Sequence, residues 1–151
     1  MFQPKTILVP TDFSAFSERA FRKALDLSKS FAAKIHVLHV VRQLPLVVGD
    51  YWFDEPSVKR IQADIERASR VELARFVDKF PDAKGAAIEL DVQSGVPYEQ
   101  IVKDAAEKGI DLIVMAARGK TGVKEHLLGG TADRVIRHAA CDVLIVREPG
   151  S

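Results

Sequence analysis

One cysteine, Cys141, is all the chain offers, so neither an intrachain disulfide nor a multi-cysteine zinc site can form. An excess of one charge is missing too: 22 Lys and Arg face 21 Asp and Glu, a net charge of +1. A dedicated nucleic-acid binder carries a clear basic surplus, which argues against that class. No apolar run approaches the roughly 18 residues of a membrane span; residues 112–117 are among the longest. The opening Met1-Phe2-Gln3-Pro4-Lys5 leads straight into a strand-like segment, without the apolar stretch of a signal peptide. Internal repeats and low-complexity tracts are likewise absent. What is present is 47% apolar and 28% charged residues over 151 positions, the composition of one globular domain. The expectation is a cytoplasmic, metal-independent protein with a single domain over 1–151.

Strand-like and helix-like segments alternate along the chain. Residues 6–9 form a short β-branched and apolar run stopped by Pro10-Thr11-Asp12. Residues 14–31 space Phe16, Ala20, Phe21, Ala24, Leu25, Leu27 and Phe31 as a helix does, with Asp12 or Ser14 as its cap. Residues 34–41 read as the second strand. Residues 42–56 hold Pro45, Gly49, Pro56 and the run Tyr51-Trp52-Phe53 without a stable period. They read as a long loop whose aromatics pack on the domain or on a partner subunit, with a mobile loop as the plainer alternative. An amphipathic helix follows over 57–80, then a strand over 87–92 ended by Ser94-Gly95. Pro97 opens a helix that Gly109 closes, and residues 111–115 form a strand buried on both faces. A Gly-rich stretch over 116–130 leads into a last helix over 131–139 and a last strand over 143–147. This order predicts an α/β fold, a doubly wound open five-stranded parallel sheet with helices on both faces.

In such a sheet, ligands bind beyond the carboxyl ends of the strands, at the switch in strand order. Two segments fall at such ends: Pro10-Thr11-Asp12 and Ala116-Ala117-Arg118-Gly119. Glycines admit phosphate to backbone N–H groups, and Gly129-Gly130-Thr131 precedes a helix whose N-terminus attracts anions. Asp12 offers a carboxylate to ribose hydroxyls. Plainer readings stand beside these: Asp12 as a helix cap, the glycine pair as a turn, and Arg118, Lys120 and Lys124 as a solvated loop face. Gly119-Lys120-Thr121 is not the tail of a P-loop, because Val114 occupies the first glycine position and Gly122 interrupts the helix. His36 and His39 lie three apart on a strand, hence on opposite faces, and cannot easily share a metal ion. His126 and His138 have no carboxylate or cysteine partner at ligand spacing, and Cys141 reads as a packing residue. No catalytic triad or carboxylate pair emerges from the spacing.

The segment Ile7-Leu8-Val9-Pro10-Thr11-Asp12-Phe13-Ser14 resembles the first strand and nucleotide-contacting turn of the universal stress proteins. His39-Val40, Gly95-Val96-Pro97, Asp111-Leu112-Ile113-Val114-Met115 and Cys141-Asp142-Val143-Leu144-Ile145-Val146 are similar to later parts of that family. The likeness spans the chain apart from residues 42–56. It implies an adenine nucleotide alpha-hydrolase-like sheet of strand order 3-2-1-4-5, with ATP or AMP as ligand, with or without Mg2+. It also implies a homodimer in which the last strand, Val143 to Val146, pairs with its two-fold mate and so covers an apolar edge.

Position by position, the resemblance puts Val40 and Pro10, Thr11 and Asp12 on the adenine side, with Met115 and Ala116 near the sugar. Arg118, Gly119, Gly129, Gly130 and Thr131 would face the phosphates. ATP-binding members carry Gly, two residues, Gly, nine residues, Gly, then Ser or Thr. This chain keeps Gly119 and Gly129 but has Ala116 for the first glycine and Gly130 for the hydroxyl residue. An alanine is tolerable where the backbone needs no positive φ; Gly130 simply lacks the hydroxyl. The expected function is an adenine-nucleotide-binding regulator of the stress response. The departures favour one alternative, a nucleotide-independent dimeric adaptor; a third reading is a slow ATPase in which Arg118 or Asp12 acts on a phosphate or bound water.

Overall fold

The computed structural model describes residues 1–120 and 127–148. Thr121, Gly122, Lys124 and His126, weighed above, lie outside the described residues. Among the described residues, seven strands and four α-helices run in the order β1 (Thr6–Pro10), α1 (Ala15–Phe31), β2 (Lys34–Val41), β3 (Val47–Val48), β4 (Tyr51–Trp52), α2 (Glu55–Asp78), β5 (Ile88–Ser94), α3 (Pro97–Glu107), β6 (Leu112–Ala116), α4 (Gly130–His138) and β7 (Asp142–Val146). A short 3-10 turn over Pro81–Gly85 links α2 to β5. The main sheet has the order β5-β2-β1-β6-β7, every pair parallel. Counting only its own strands, this is 3-2-1-4-5, the predicted topology.

Alternation along the strands divides the core in two. Ile7, Val9, Ile35, Val37 and Val114 face α1 and α2, meeting Phe21, Leu73, Phe76 and Phe80. Leu8, Leu38, Ile113 and Met115 point to the other face, against Ile101 and Ala105 of α3 and Ala132 and Val135 of α4. Period-2 side-chain direction thus feeds both helical layers from the same strands.

Residues 42–56 are not one loop. β3 and β4 pair antiparallel around Gly49, whose φ of +60° suits a glycine in a tight hairpin turn. The hairpin does not bury its aromatics on the domain: Tyr51 is 76% and Trp52 81% exposed. The following helix starts earlier than its periodicity predicts. Asp54 caps it by accepting the Ser57 N–H at 2.9 Å, and Pro56 sits in its first turn, where no backbone donor is lost.

One buried charge needs its partner. Asp104 on α3 accepts from Lys108 Nζ at 3.0 Å and from Gln93 Nε2 at 2.8 Å, and its side chain is only 2% exposed. Burial works to lower the Lys108 pKa, but the Asp104 and Asp91 carboxylates outweigh it and raise the value above 10.5. The stability this lysine contributes is therefore complete below its unfolded pKa and lost as pH climbs through the folded one. Lys108→Met is expected to cost about 1.5–3 kcal/mol in urea unfolding at neutral pH. The loss should shrink as pH climbs through the raised folded pKa of Lys108, where wild type forfeits the same interaction; a pH-independent loss would contradict the assignment.

Candidate functional site

The first strand ends in a turn that its own side chains lock. Thr11 Oγ1 accepts the Phe13 N–H at 3.0 Å and lies 2.9 Å from Ser17 Oγ, while Asp12 Oδ1 accepts the Ser14 N–H at 3.0 Å. Between these two bonds Phe13 is held at φ 67°, a conformation uncommon for a bulky residue. His39 at the end of β2 braces the turn from the side. Its Nδ1 lies 2.8 Å from the Thr11 carbonyl and its ring packs on Phe13 at 4.2 Å between centroids. The cap of α1 is Ser14, whose side chain accepts from Ser17 N, so Asp12 is not spent on that task.

Asp12 instead reaches across the switch point. β1 and β6 are neighbours in register, Ile7 beside Leu112 and Leu8 beside Ile113. Beyond their ends, Asp12 Oδ2 accepts the Lys120 N–H at 2.7 Å. A Cβ added to Gly119 would overlap that same oxygen, so Gly119 is the residue that lets the carboxylate lie on the backbone. Burial works to raise the Asp12 pKa, but hydrogen bonds from Ser14 and from the Lys120 backbone outweigh it and hold the carboxyl below its ordinary value. It is a carboxylate at neutral pH.

Gly129 closes the other side. Its N–H donates to the Ala117 carbonyl at 2.7 Å, and the Ala117 N–H donates to Val146 at 3.1 Å. A Cβ at Gly129 would come within 3.1 Å of the Ala117 oxygen and 3.2 Å of Arg118 Cα. Gly129 is also the N-cap of α4, and a glycine has no side chain to satisfy the helix's first N–H groups. Those groups carry the positive end of the helix dipole towards the space between the turns. Among the described residues, nothing lies within 4 Å of a Cβ at Gly130. Ala116, the other departure from the family motif, ends β6 and has no positive φ, so its methyl group is accommodated without strain.

Together these turns enclose a cleft of about 370 Å³, within the range typical of small-molecule sites. Pro10, Thr11, Asp12, Val40, Met115, Ala116, Arg118, Gly119, Gly129, Gly130 and Thr131 all line it. So do residues that the sequence did not single out for it: Ser17, His39, Arg42, Pro97, Ile101 and Arg134. Strand alternation puts His39 opposite His36, but nothing in the sequence announces its bond to Thr11. Arg118 borders the cleft, yet its guanidinium lies 4.4 Å from the Phe16 ring centre and pairs with Glu148 Oε1 at 2.6 Å. Arg134 lies 5.4 Å from the Tyr98 ring centre.

The remaining candidates stay apart from the cleft. His36 is buried beside Glu89 Oε2 at 3.3 Å, and burial and Lys108 lower its pKa. His138 Nδ1 lies 2.8 Å from the Arg134 carbonyl. Burial pushes the Cys141 thiol pKa up, which suits packing rather than nucleophilic attack. Among the described residues, no group of three or more His, Cys, Asp or Glu side chains is placed to hold a metal ion, and no helix is long and apolar enough to cross a membrane.

A glycine-lined cleft over the switch point of an open parallel sheet defines the class, a doubly wound α/β domain with a cleft at its strand ends. The chain belongs to the universal stress protein family, whose model matches residues 4–147. It is 34% identical to a universal stress protein of Methanocaldococcus jannaschii, over 96% of this chain and 83% of that one. The solved structure of MJ0577 from the same organism superposes with a TM-score of 0.78 at 27% identity, covering 97% of this chain and 98% of that one. A universal stress protein solved in complex with cAMP superposes with a TM-score of 0.65 at 27% identity, covering 97% and 98% of the two chains.

Proposed function

We propose that the protein binds an adenine nucleotide in this cleft and acts as a regulatory module of the stress response. The observation that carries the reading is the convergence of Asp12, Gly119 and Gly129 around one cavity, with the uncapped start of α4 facing it. Backbone N–H groups at such a helix start suit a phosphate, and the flanking Val40 offers apolar surface to a base. The cAMP complex of a relative adds support for an adenine ligand. The regulatory role rests on family membership. Isothermal titration with ATP and AMP, together with identification of any small molecule released on denaturing the purified protein, is the test. Saturable heat or a co-purified adenine nucleotide is expected; neither at millimolar ligand would remove the reading.

A second reading concerns assembly and has its own observation. Among the described residues, β7 is an edge strand of the sheet, bonded to β6 on one side only, and Leu144 at its centre is exposed. An apolar edge of that kind suits pairing with a second copy. Leu144→Lys is expected to move the protein from dimer to monomer in sedimentation velocity. A wild type that sediments as a monomer at micromolar concentration would count against a dimer through this strand.

A further inference from the structure

We propose that Arg42 covers the base of the bound nucleotide and that Gln62 on α2 is the positioning residue that holds it there. The proposal rests on the nucleotide reading above and adds to it a contact at the base end. Side chains alternate as β2 leaves the sheet: Val41 belongs to the core under α1 and α2, while Leu38 and Val40 belong to the opposite face. Arg42 comes next in that alternation, on the side of Leu38 and Val40, and lines the cleft with them. Pro97 and Ile101 of α3, which packs over β2, complete an apolar end suited to a base. Arg118 pairs with Glu148, and Arg134 lies 5.4 Å from the Tyr98 ring centre. Among the described residues, no carboxylate or ring engages the Arg42 guanidinium in this way. A planar cation beside an apolar slot is matched to the face of a purine.

An arginine past the end of a strand has no ladder to fix its backbone, and here one side chain takes over that task. Gln62 Oε1 accepts the Leu44 N–H at 2.8 Å, and Gln62 Nε2 donates to the Arg42 carbonyl at 3.3 Å. A single amide thus holds the peptide groups on both sides of residue 43, as a neighbouring strand would. The amide is itself fixed. Its Nε2 also donates to Ser94 Oγ at 3.2 Å, and that hydroxyl donates to Glu66 Oε1 one turn further along α2. Just before Arg42, the Val41 carbonyl accepts the Gly95 N–H at 2.9 Å. Backbone at residue 42 is therefore pinned between β5 and α2, which limits where its side chain reaches. Gln62 does not line the cleft, so its effect on a ligand passes through this segment.

Calorimetric titration of AMP and of adenosine into the full chain tests both residues. Arg42→Met keeps the length of the side chain and removes the planar cation. It is expected to weaken AMP and adenosine alike, by about fivefold, because the lost contact is to the base they share. Arg42→Lys keeps the charge without the plane and should recover little of that loss. Gln62→Met removes both backbone bonds and should weaken AMP about threefold in wild type, with no further loss in the Arg42→Met background. A residue needed only for folding would weaken binding in both backgrounds, so losses that add overturn the positioning role. Loss confined to AMP, full affinity in Arg42→Lys, no loss in Arg42→Met, or wild type that binds AMP without adenosine overturns the base contact and leaves nucleotide binding standing. No binding of either ligand by wild type overturns the parent reading and this one with it.

Discussion

Gly119→Val is expected to weaken adenine-nucleotide binding more than about a hundredfold while leaving the circular dichroism spectrum unchanged. The Cβ of the valine would already overlap Asp12 Oδ2, before its branches are counted. The carboxylate cannot simply swing aside. Its other oxygen holds the Ser14 N–H, and the turn carrying it is locked at Phe13 by Thr11 Oγ1 and by His39. The segment that yields is therefore the Gly119 side, which breaks the Lys120 bond and moves backbone into the cleft. No core side chain is touched, since Ile113 and Val114 of β6 stay buried several residues upstream. A graded series makes the reasoning specific. Gly129→Ala meets backbone at 3.1 Å and should cost less than Gly119→Val, while Gly130→Ala enters open space and should cost little. Titration calorimetry across the three variants is sufficient, and equal losses at all three positions would show that the steric account is wrong.

The strands and helices of the parallel sheet were legible because their periods are strong over long elements, whereas the strand order came from the resemblance to the family. Residues 34–41 and 111–115 have apolar runs that only buried parallel strands need, and Pro97 and Gly109 bracket their helix. The hairpin of β3 and β4 was not legible, since two-residue strands give no period to detect; the Gly49-Asp50 pair between apolar neighbours was its one signal. The early start of α2 was hidden by Pro56, which reads as a breaker unless the Asp54 cap before it is recognised. At the cleft, the glycines and the Pro10-Thr11-Asp12 turn stood out by composition and position. The partners of Asp12 and Arg118 did not, because Lys120 and Glu148 are brought to them only by the neighbouring strands β1, β6 and β7. Sequence thus located the cleft, and tertiary structure decided which of its charges are already balanced.

Phe76→Ala is expected to destabilise the fold by about 3–5 kcal/mol, as large aromatic truncations in a packed core do. Phe76 is 2% exposed and lies in the aromatic cluster that joins α1 to α2. Its ring centre is 5.7 Å from that of Phe21 and 5.7 Å from that of Phe80, and Phe21 meets Phe80 edge-on at 4.9 Å. Removing the ring leaves a cavity beside Phe21 and Phe80, in a core cluster whose sheet residues are fully buried and have little freedom to collapse into it. A fall in melting temperature of about 10 °C accompanies a loss of this size in a domain of this length. The same ring also reaches the cleft, because Phe13 packs on Phe76 at 6.1 Å and on His39 at 4.2 Å. Phe13 is the residue held at φ 67° beside Asp12, so its support from below helps fix the carboxylate. Nucleotide affinity should therefore drop in Phe76→Ala even at temperatures where the variant is fully folded. Phe53→Ala, at an exposed hairpin position, is the control and should change stability by less than about 0.5 kcal/mol. Urea unfolding with an unchanged slope checks the stability change, and a loss below about 1 kcal/mol for Phe76→Ala would mean that the aromatic cluster repacks around the missing ring.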